Sequence, residues 1–117
     1  MDIINEYETV LILRPTLDDA ALYGAVERLE GVIAANGGEL LDRDDWGKRK
    51  LAYPIKKHTK GHYVLLKFLS DAELISELER NIRILDTVVR FLTVKLGDEV
   101  DTEARRAAAS SVRSERE

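Results

Sequence analysis

From residue 3 the chain reads Ile, Ile, Asn, Glu, Tyr, Glu, Thr, Val, Leu, Ile, Leu, Arg, and then meets Pro15, which cannot donate to a ladder. The alternation predicts a strand over Ile3 to Arg14, with Tyr7, Thr9, Leu11 and Leu13 on one face and Glu8, Val10 and Ile12 on the other. Apolar residues on both faces mark a strand in the middle of a sheet, or one whose second face meets a partner. The period then changes. Leu22, Val26, Leu29 and Ile33 recur at helical spacing, with Glu27, Arg28 and Glu30 off that stripe. Thr16 with Asp19 reads as a capping box at the start of this helix, and Asn36, Gly37 and Gly38 read as its end.

Period two returns from Glu39 to Asp45, is interrupted by Gly47 in the manner of a bulge, and resumes from Lys48 to Ile55. Pro54 places this strand at an edge or at its own end. A loop over Lys56 to Lys60 and Gly61 leads into a third strand, His62 to Leu69, so the two strands form a hairpin. Ser70 with Glu73 is a second capping box, opening a helix whose stripe is Leu74, Leu78 and Ile82, with Ile75 beside it and an end near Asn81. Val88 to Leu96 is the fourth strand. It sets Val88, Leu92 and Val94 against Val89 and Phe91, and the pattern does not say which set meets the helices. Gly97 closes the patterned part. Residues 98–117 have only Val100 and Val112 as large apolar residues, which predicts a disordered tail, with residues 104–109 able to become helical on a partner.

Strand, helix, strand, strand, helix, strand, joined by right-handed crossovers, predicts an α+β ferredoxin-like split βαβ sandwich: a four-stranded antiparallel sheet with both helices on one face. The domain is expected over residues 1–97, with 98–117 as its tail. The other sheet face is expected to be open, so Val10, Ile12, Tyr63 and Leu65 on it ask for a ligand or a protein.

A chain of 117 residues with 44% hydrophobic content has room for one core. The absence of cysteine rules out disulfides, thiolate zinc sites and cysteine nucleophiles, and fits a reducing compartment. The first residues lack a basic, then apolar, leader pattern and no stretch is long and apolar enough to span a membrane, so a cytosolic protein is expected. Charge changes the picture most. The net charge is -4, yet Trp46 to His62 holds Lys48, Arg49, Lys50, Lys56, Lys57 and Lys60 and no carboxylate, and Lys67 extends the run to Ser70. A positive patch on an acidic body is a place for a polyanion to dock. Lysines on an edge strand also block sheet-to-sheet aggregation, and charge alone leaves both readings open.

Catalytic chemistry finds little support. His58 and His62 flank a loop-to-strand boundary, where a spacing of four does not bring imidazoles to one face, and no third His completes a metal site. They read as an exposed or RNA-contacting pair. Asp42, Asp44 and Asp45 lack the spacing and glycine of a calcium loop and read as exposed edge charges. Gly37 and Gly38 sit in no phosphate-loop pattern. Neither catalysis, a metal nor a cofactor is expected.

Tyr7, Glu8, Leu13, Pro15, Gly37, Gly38, Trp46, Gly47, Arg49, Leu51, Ala52, Tyr53, Pro54, Ile55, Lys56, Gly61, Tyr63, Leu78, Glu79, Arg80, Asp86, Val88, Arg90, Leu92, Val94 and Lys95 together resemble the bacterial small-subunit ribosomal protein six family. The run from Trp46 to Lys56 is the most specific part. The resemblance implies a ferredoxin-like component of the cytoplasmic ribosome, not an enzyme, that binds the central domain of small-subunit ribosomal RNA together with small-subunit ribosomal protein eighteen. On this reading Lys48, Arg49, Lys56, Lys57, Lys60, Arg90 and Lys95 are the expected RNA contacts. Val10, Ile12, Tyr53, Tyr63 and Leu65 are the expected partner contacts. Trp46, Tyr53 and Tyr63 are available for base stacking, but interface packing is the preferred role, since a paired aromatic platform on the central strands is not evident. The chain departs from the family in starting with the acidic and apolar Met1 to Glu6, where a basic start is common. Its tail is also less acidic than in some members. The competing expectation is a regulatory or small-ligand domain that dimerises through its sheet. A metabolite sensor has no need of the basic run, and an acylphosphatase-type hydrolase would need a glycine loop where Arg14, Pro15, Thr16 and Leu17 stand.

Overall fold

The computed structural model describes residues 4–116. Its elements in chain order are β1 (Asn5–Leu13), α1 (Asp19–Ala35), β2 (Glu39–Ile55), β3 (His58–Ser70), α2 (Glu73–Arg83), β4 (Val88–Gly97) and α3 (Thr102–Arg116). All pairings are antiparallel and the spatial order is β2-β3-β1-β4, the expected ferredoxin-like sheet. Of the strand expected from Ile3, that first residue lies outside the described residues.

β1 is central, as its two apolar faces require. Tyr7, Leu11 and Leu13 enter the main core with Leu22, Val26, Leu29 and Ile33 of α1 and Leu74, Leu78 and Ile82 of α2. Val64, Leu66 and Phe68 of β3 complete the sheet's side of that core, with the Tyr7 and Phe68 rings stacked at 5.8 Å. Thr9, also fully buried, shares a hydroxyl hydrogen bond of 2.9 Å with Thr93. Glu8, Val10 and Ile12 face the other way.

Both helices start differently from the expected capping boxes. Residues 14–17 form a turn, so α1 begins later and Asp18, not Thr16, caps it: Ala21 N–H donates to Asp18 Oδ1 at 2.8 Å. Ser70 Oγ donates to the Asp71 carbonyl, and it is Asp71 Oδ1 that accepts from Leu74 N–H at 3.2 Å. In each case a carboxylate nearer the first turn competes successfully with a hydroxyl, as the positive helix end favours. α2 also runs two residues past Asn81, to Arg83.

The β2–β3 connection is tighter than the expected five-residue loop. Ile55 pairs with His58, leaving Lys56 and Lys57 as a two-residue turn with φ of 47° and 70°. Two positive φ angles are the signature of the turn whose twist matches a hairpin. Gly47 (φ +74°) makes the bulge expected of it, opposite Tyr63.

β4 answers the open question about its faces through an irregularity. The register slips between Ile12↔Arg90 and Leu13↔Val88, leaving Val89 without a partner of its own. Val88 and Phe91 therefore both pack on the main core, while Val89 joins Ile12 on the opposite face together with Arg90, Leu92 and Val94. Neither expected set survives, because the bulge exchanges parity partway along the strand.

The segment expected to be disordered takes a different form: residues 102–116 are α3, lying on the sheet face opposite α1 and α2. Ala109 is buried against Leu41 and Leu69, with Ile4 and Val100 beside them. Asp101 Oδ1 caps the helix by accepting from Glu103 and Ala104 N–H. Low hydrophobicity misleads here, because arginine ion pairs to the sheet supply what apolar residues do not. The face expected to be open is thus covered at one end.

Candidate nucleic-acid and protein interface

β2 and β3 run beyond the end of β1, and their hairpin curls over it. Leu51, Ile55 and Tyr63 close on Ile12 and Val89 to make a second small core. Gly61 permits this, since a Cβ there would lie 2.4 Å from Ile12 Cγ2. Ile12, expected as a partner contact, is 9% exposed beneath the hairpin and, with Val10 and Leu92, lines a pocket on the open face. The hairpin also reaches across to β4: the Arg90 guanidinium hydrogen-bonds the Tyr53 hydroxyl and sits 5.9 Å from that ring's centroid. Trp46, displaced outward by the Gly47 bulge, stacks on Tyr63 at 6.4 Å with the rings 12° from parallel.

The hairpin's cations have no acidic partner among the described residues, although Arg49 Nε donates to the Trp46 carbonyl at 3.1 Å. Lys48, Arg49 and Lys50 face His62, Gly61 and Lys60 across the ladder, so no carboxylate opposes them and two lysines oppose each other. Among the described residues none of Lys48, Arg49, Lys50, Lys56, Lys57, Lys60 or Arg90 lies within 4.0 Å of a carboxylate oxygen. All seven are exposed. Lys56 and Arg90 share the rim of a groove of about 520 Å³ with Arg83, Ile84, Asp86 and Phe91. Arg83, which no pattern in the chain singles out, stacks over Phe91 at 5.6 Å. Lys95 does not join this group. It pairs with Tyr7 in the ladder, on the helix side of the sheet, and is bound to Asp98 at 2.6 Å, which raises its pKa through the Asp98 hydrogen bond.

Beside the hairpin the uncovered part of the open face is an apolar strip. Val10 pairs with Leu65 on one side and Leu92 on the other, and Leu92 (60% exposed) and Val94 (41%) are the most exposed of the group. Val10 and Leu65 were expected here, whereas Leu92 and Val94 were hidden by the bulge's change of parity. Tyr63 lies partly buried between this strip and Trp46, and Tyr53 is held at the hairpin's outer end by Arg90.

His62 and the three aspartates are engaged in internal contacts, although Asp45 remains exposed as expected. Asp45 turns to the helix side, accepting from Tyr23 Oη at 2.6 Å, from Gly47 N–H at 2.9 Å and from His62 Nε2 at 2.6 Å. It locks α1 to both strands of the hairpin. Asp42 is buried and, with Asp44, holds Arg116 of α3. His58 belongs to the ladder beside the turn.

A four-stranded ferredoxin-like sheet hosts many functions, so comparison with known proteins is decisive. The sequence model of the family described as ribosomal protein S6 matches residues 6–95. The chain belongs to the ribosomal protein S6 family. It is a small-subunit ribosomal protein, a structural component rather than an enzyme, as the resemblance implied. Small ribosomal subunit protein bS6 of Syntrophobacter fumaroxidans is 44% identical over 109 residues, covering 92% of this chain and 74% of that one. Small ribosomal subunit protein bS6 of Clostridium novyi is 48% identical over 91 residues, 78% of this chain and 96% of that one. The crystal structure of 30S ribosomal protein S6 from Thermotoga maritima superposes with a TM-score of 0.76 at 25% identity, covering 92% of this chain and 97% of that one. The S6 family match ends at residue 95, so α3 lies wholly beyond it.

Proposed function

We propose that this S6-family protein binds the central domain of small-subunit ribosomal RNA through its β2–β3 hairpin and small-subunit ribosomal protein eighteen through the apolar strip beside it. The observation that carries the reading is the set of hairpin cations without acidic partners, next to exposed apolar residues, on a molecule of net charge -4. Lys48, Arg49, Lys56, Lys57, Lys60 and Arg90 take phosphates, which fixes position on the RNA with little sequence readout. Lys95, bound to Asp98, is withdrawn from this set. Val10, Leu65, Leu92 and Val94 meet the protein partner, with Tyr53 and Tyr63 at the junction of the two surfaces.

The test is a binding titration on a central-domain RNA fragment, with partner present, at several salt concentrations. Converting Lys56, Lys57 and Lys60 to Gln is expected to lower the slope of log affinity against log salt by about 0.9 for each phosphate that is no longer neutralised. An unchanged slope, accompanied by increased light scattering, would instead assign these lysines to protection of the sheet edge.

A further inference from the structure

α3 is held to the sheet chiefly by charge. Arg105 pairs with Glu6, Arg106 makes a two-pronged bond to Glu39 at 2.7 Å, Arg113 donates to the Leu41 carbonyl, and Arg116 pairs with Asp42, with Asp44 at 3.7 Å. Ala109 is the buried residue of the helix, resting on Leu41 and Leu69. Outward, from Glu103 through Ala107 and Ala108 to Ser110, Ser111 and Ser114, there is no cation. The connection from β4 passes through Glu99 at φ +45°, a left-handed conformation uncommon for this residue. Beneath the helix Glu6 and Asp42, 5% and 6% exposed, stand with Glu39 and Asp44 around Leu41 and Leu69. Carboxylates so enclosed require a cation, and they repel phosphate. The chemistry of what fits the trough is therefore drawn by α3 itself: arginines flanking a small apolar centre on one helix face.

We infer that this acidic trough is a receptor for an arginine-bearing amphipathic helix of a basic protein, that α3 fills it in cis, and that such a helix offered in trans takes α3's place. The inference stands apart from the RNA reading, since the trough is at the opposite end of the sheet from the hairpin. A tethered helix acts at an effective concentration in the millimolar range, so exchange requires a competitor able to match it.

The probe is a fluorescent peptide with the sequence of residues 98–117, titrated at low salt into the full chain and into a full-length variant carrying Arg105→Glu, Arg106→Glu, Arg113→Glu and Arg116→Glu. The variant's own helix no longer suits the trough. The peptide is expected to bind it at least tenfold more tightly than the unmodified chain, and a peptide with those arginines changed to Gln is expected not to bind. Equal affinity for the two chains overturns the inference, as does no binding to a variant whose circular dichroism retains the sheet. A second measurement needs no variant. Hydrogen exchange of the unmodified chain with millimolar peptide is expected to quicken at 102–116 while the amides of β1 stay protected. Unchanged exchange over 102–116 overturns the proposal.

Discussion

At the scale of single residues, Asp45 and Gly61 hold the hairpin in place. Burial pushes the Asp45 carboxyl up, but hydrogen bonds from Tyr23, the Gly47 amide and His62 outweigh it and hold the pKa below the ordinary 3.8. The folded state thus binds the proton less tightly than the unfolded chain. Asp45's contribution is full above the ordinary carboxylate value and is lost as pH falls through the depressed folded value. Urea denaturation from about pH 5 to about pH 2 is expected to show a shallower acid loss for Asp45→Asn than for the unmodified chain; parallel losses would refute the assignment. Gly61→Ala forces a methyl against the Cγ2 methyl of Ile12 and is expected to cost about 1–3 kcal/mol, partly recovered by adding Ile12→Leu, which removes that branch. Thermal melts of the single and double variants decide it: no recovery would mean that Ile12 is not the obstructing group. None of this was legible in the chain. Asp45 meets residues 22 and 17 positions away, and Ile12 meets Gly61 only because the hairpin bends over β1.

At the scale of elements the periodic signals held, as did the glycine signals that make the Gly47 bulge and end α1 at Asn36, but the caps and the register of β4 did not. Leu22, Val26, Leu29 and Ile33, and Leu74, Leu78 and Ile82, are buried as their spacing requires, and the faces of β1 are as alternation places them. A stripe of seven or more residues averages over local accidents. A cap or a bulge is one residue's choice, so Asp18 displaced Thr16, Asp71 displaced Ser70, and one slip of register redirected half of β4. The turn at Lys56 and Lys57 was missed for the same reason, since its geometry favours Asn-Gly and the sequence offers two lysines. Holding two such residues at positive φ costs on the order of 1–2 kcal/mol each. Replacing Lys56 by Asn and Lys57 by Gly is therefore expected to raise the urea midpoint while weakening RNA assembly, two effects of opposite sign. A variant that gained stability and bound RNA unchanged would show that these lysines do not touch phosphate. A variant no more stable than the parent would show that the turn is not strained.

At the scale of the whole molecule the two cationic elements differ in whether their charge is spent internally. The hairpin presents five lysines and Arg49 with no acid opposite, while α3 presents four arginines whose charge is met by Glu6, Glu39, Asp42 and Asp44 or by a backbone carbonyl. Counting basic residues along the chain cannot separate these cases, because what distinguishes them is a contact spanning 99, 67 or 74 positions. Counterion release depends only on cations that reach phosphate, so the salt dependence of RNA binding should read the hairpin and ignore the helix. Changing Arg105 and Arg106 to Gln is expected to leave the salt slope within about half a unit of the parent, whereas the triple lysine change lowers it by about 2.7. The comparison uses the same RNA fragment, partner and salt series for all three proteins. A slope that fell by nearly two units in the arginine variant would place α3 on the RNA, and would require that helix to leave the acidic end of the sheet during assembly.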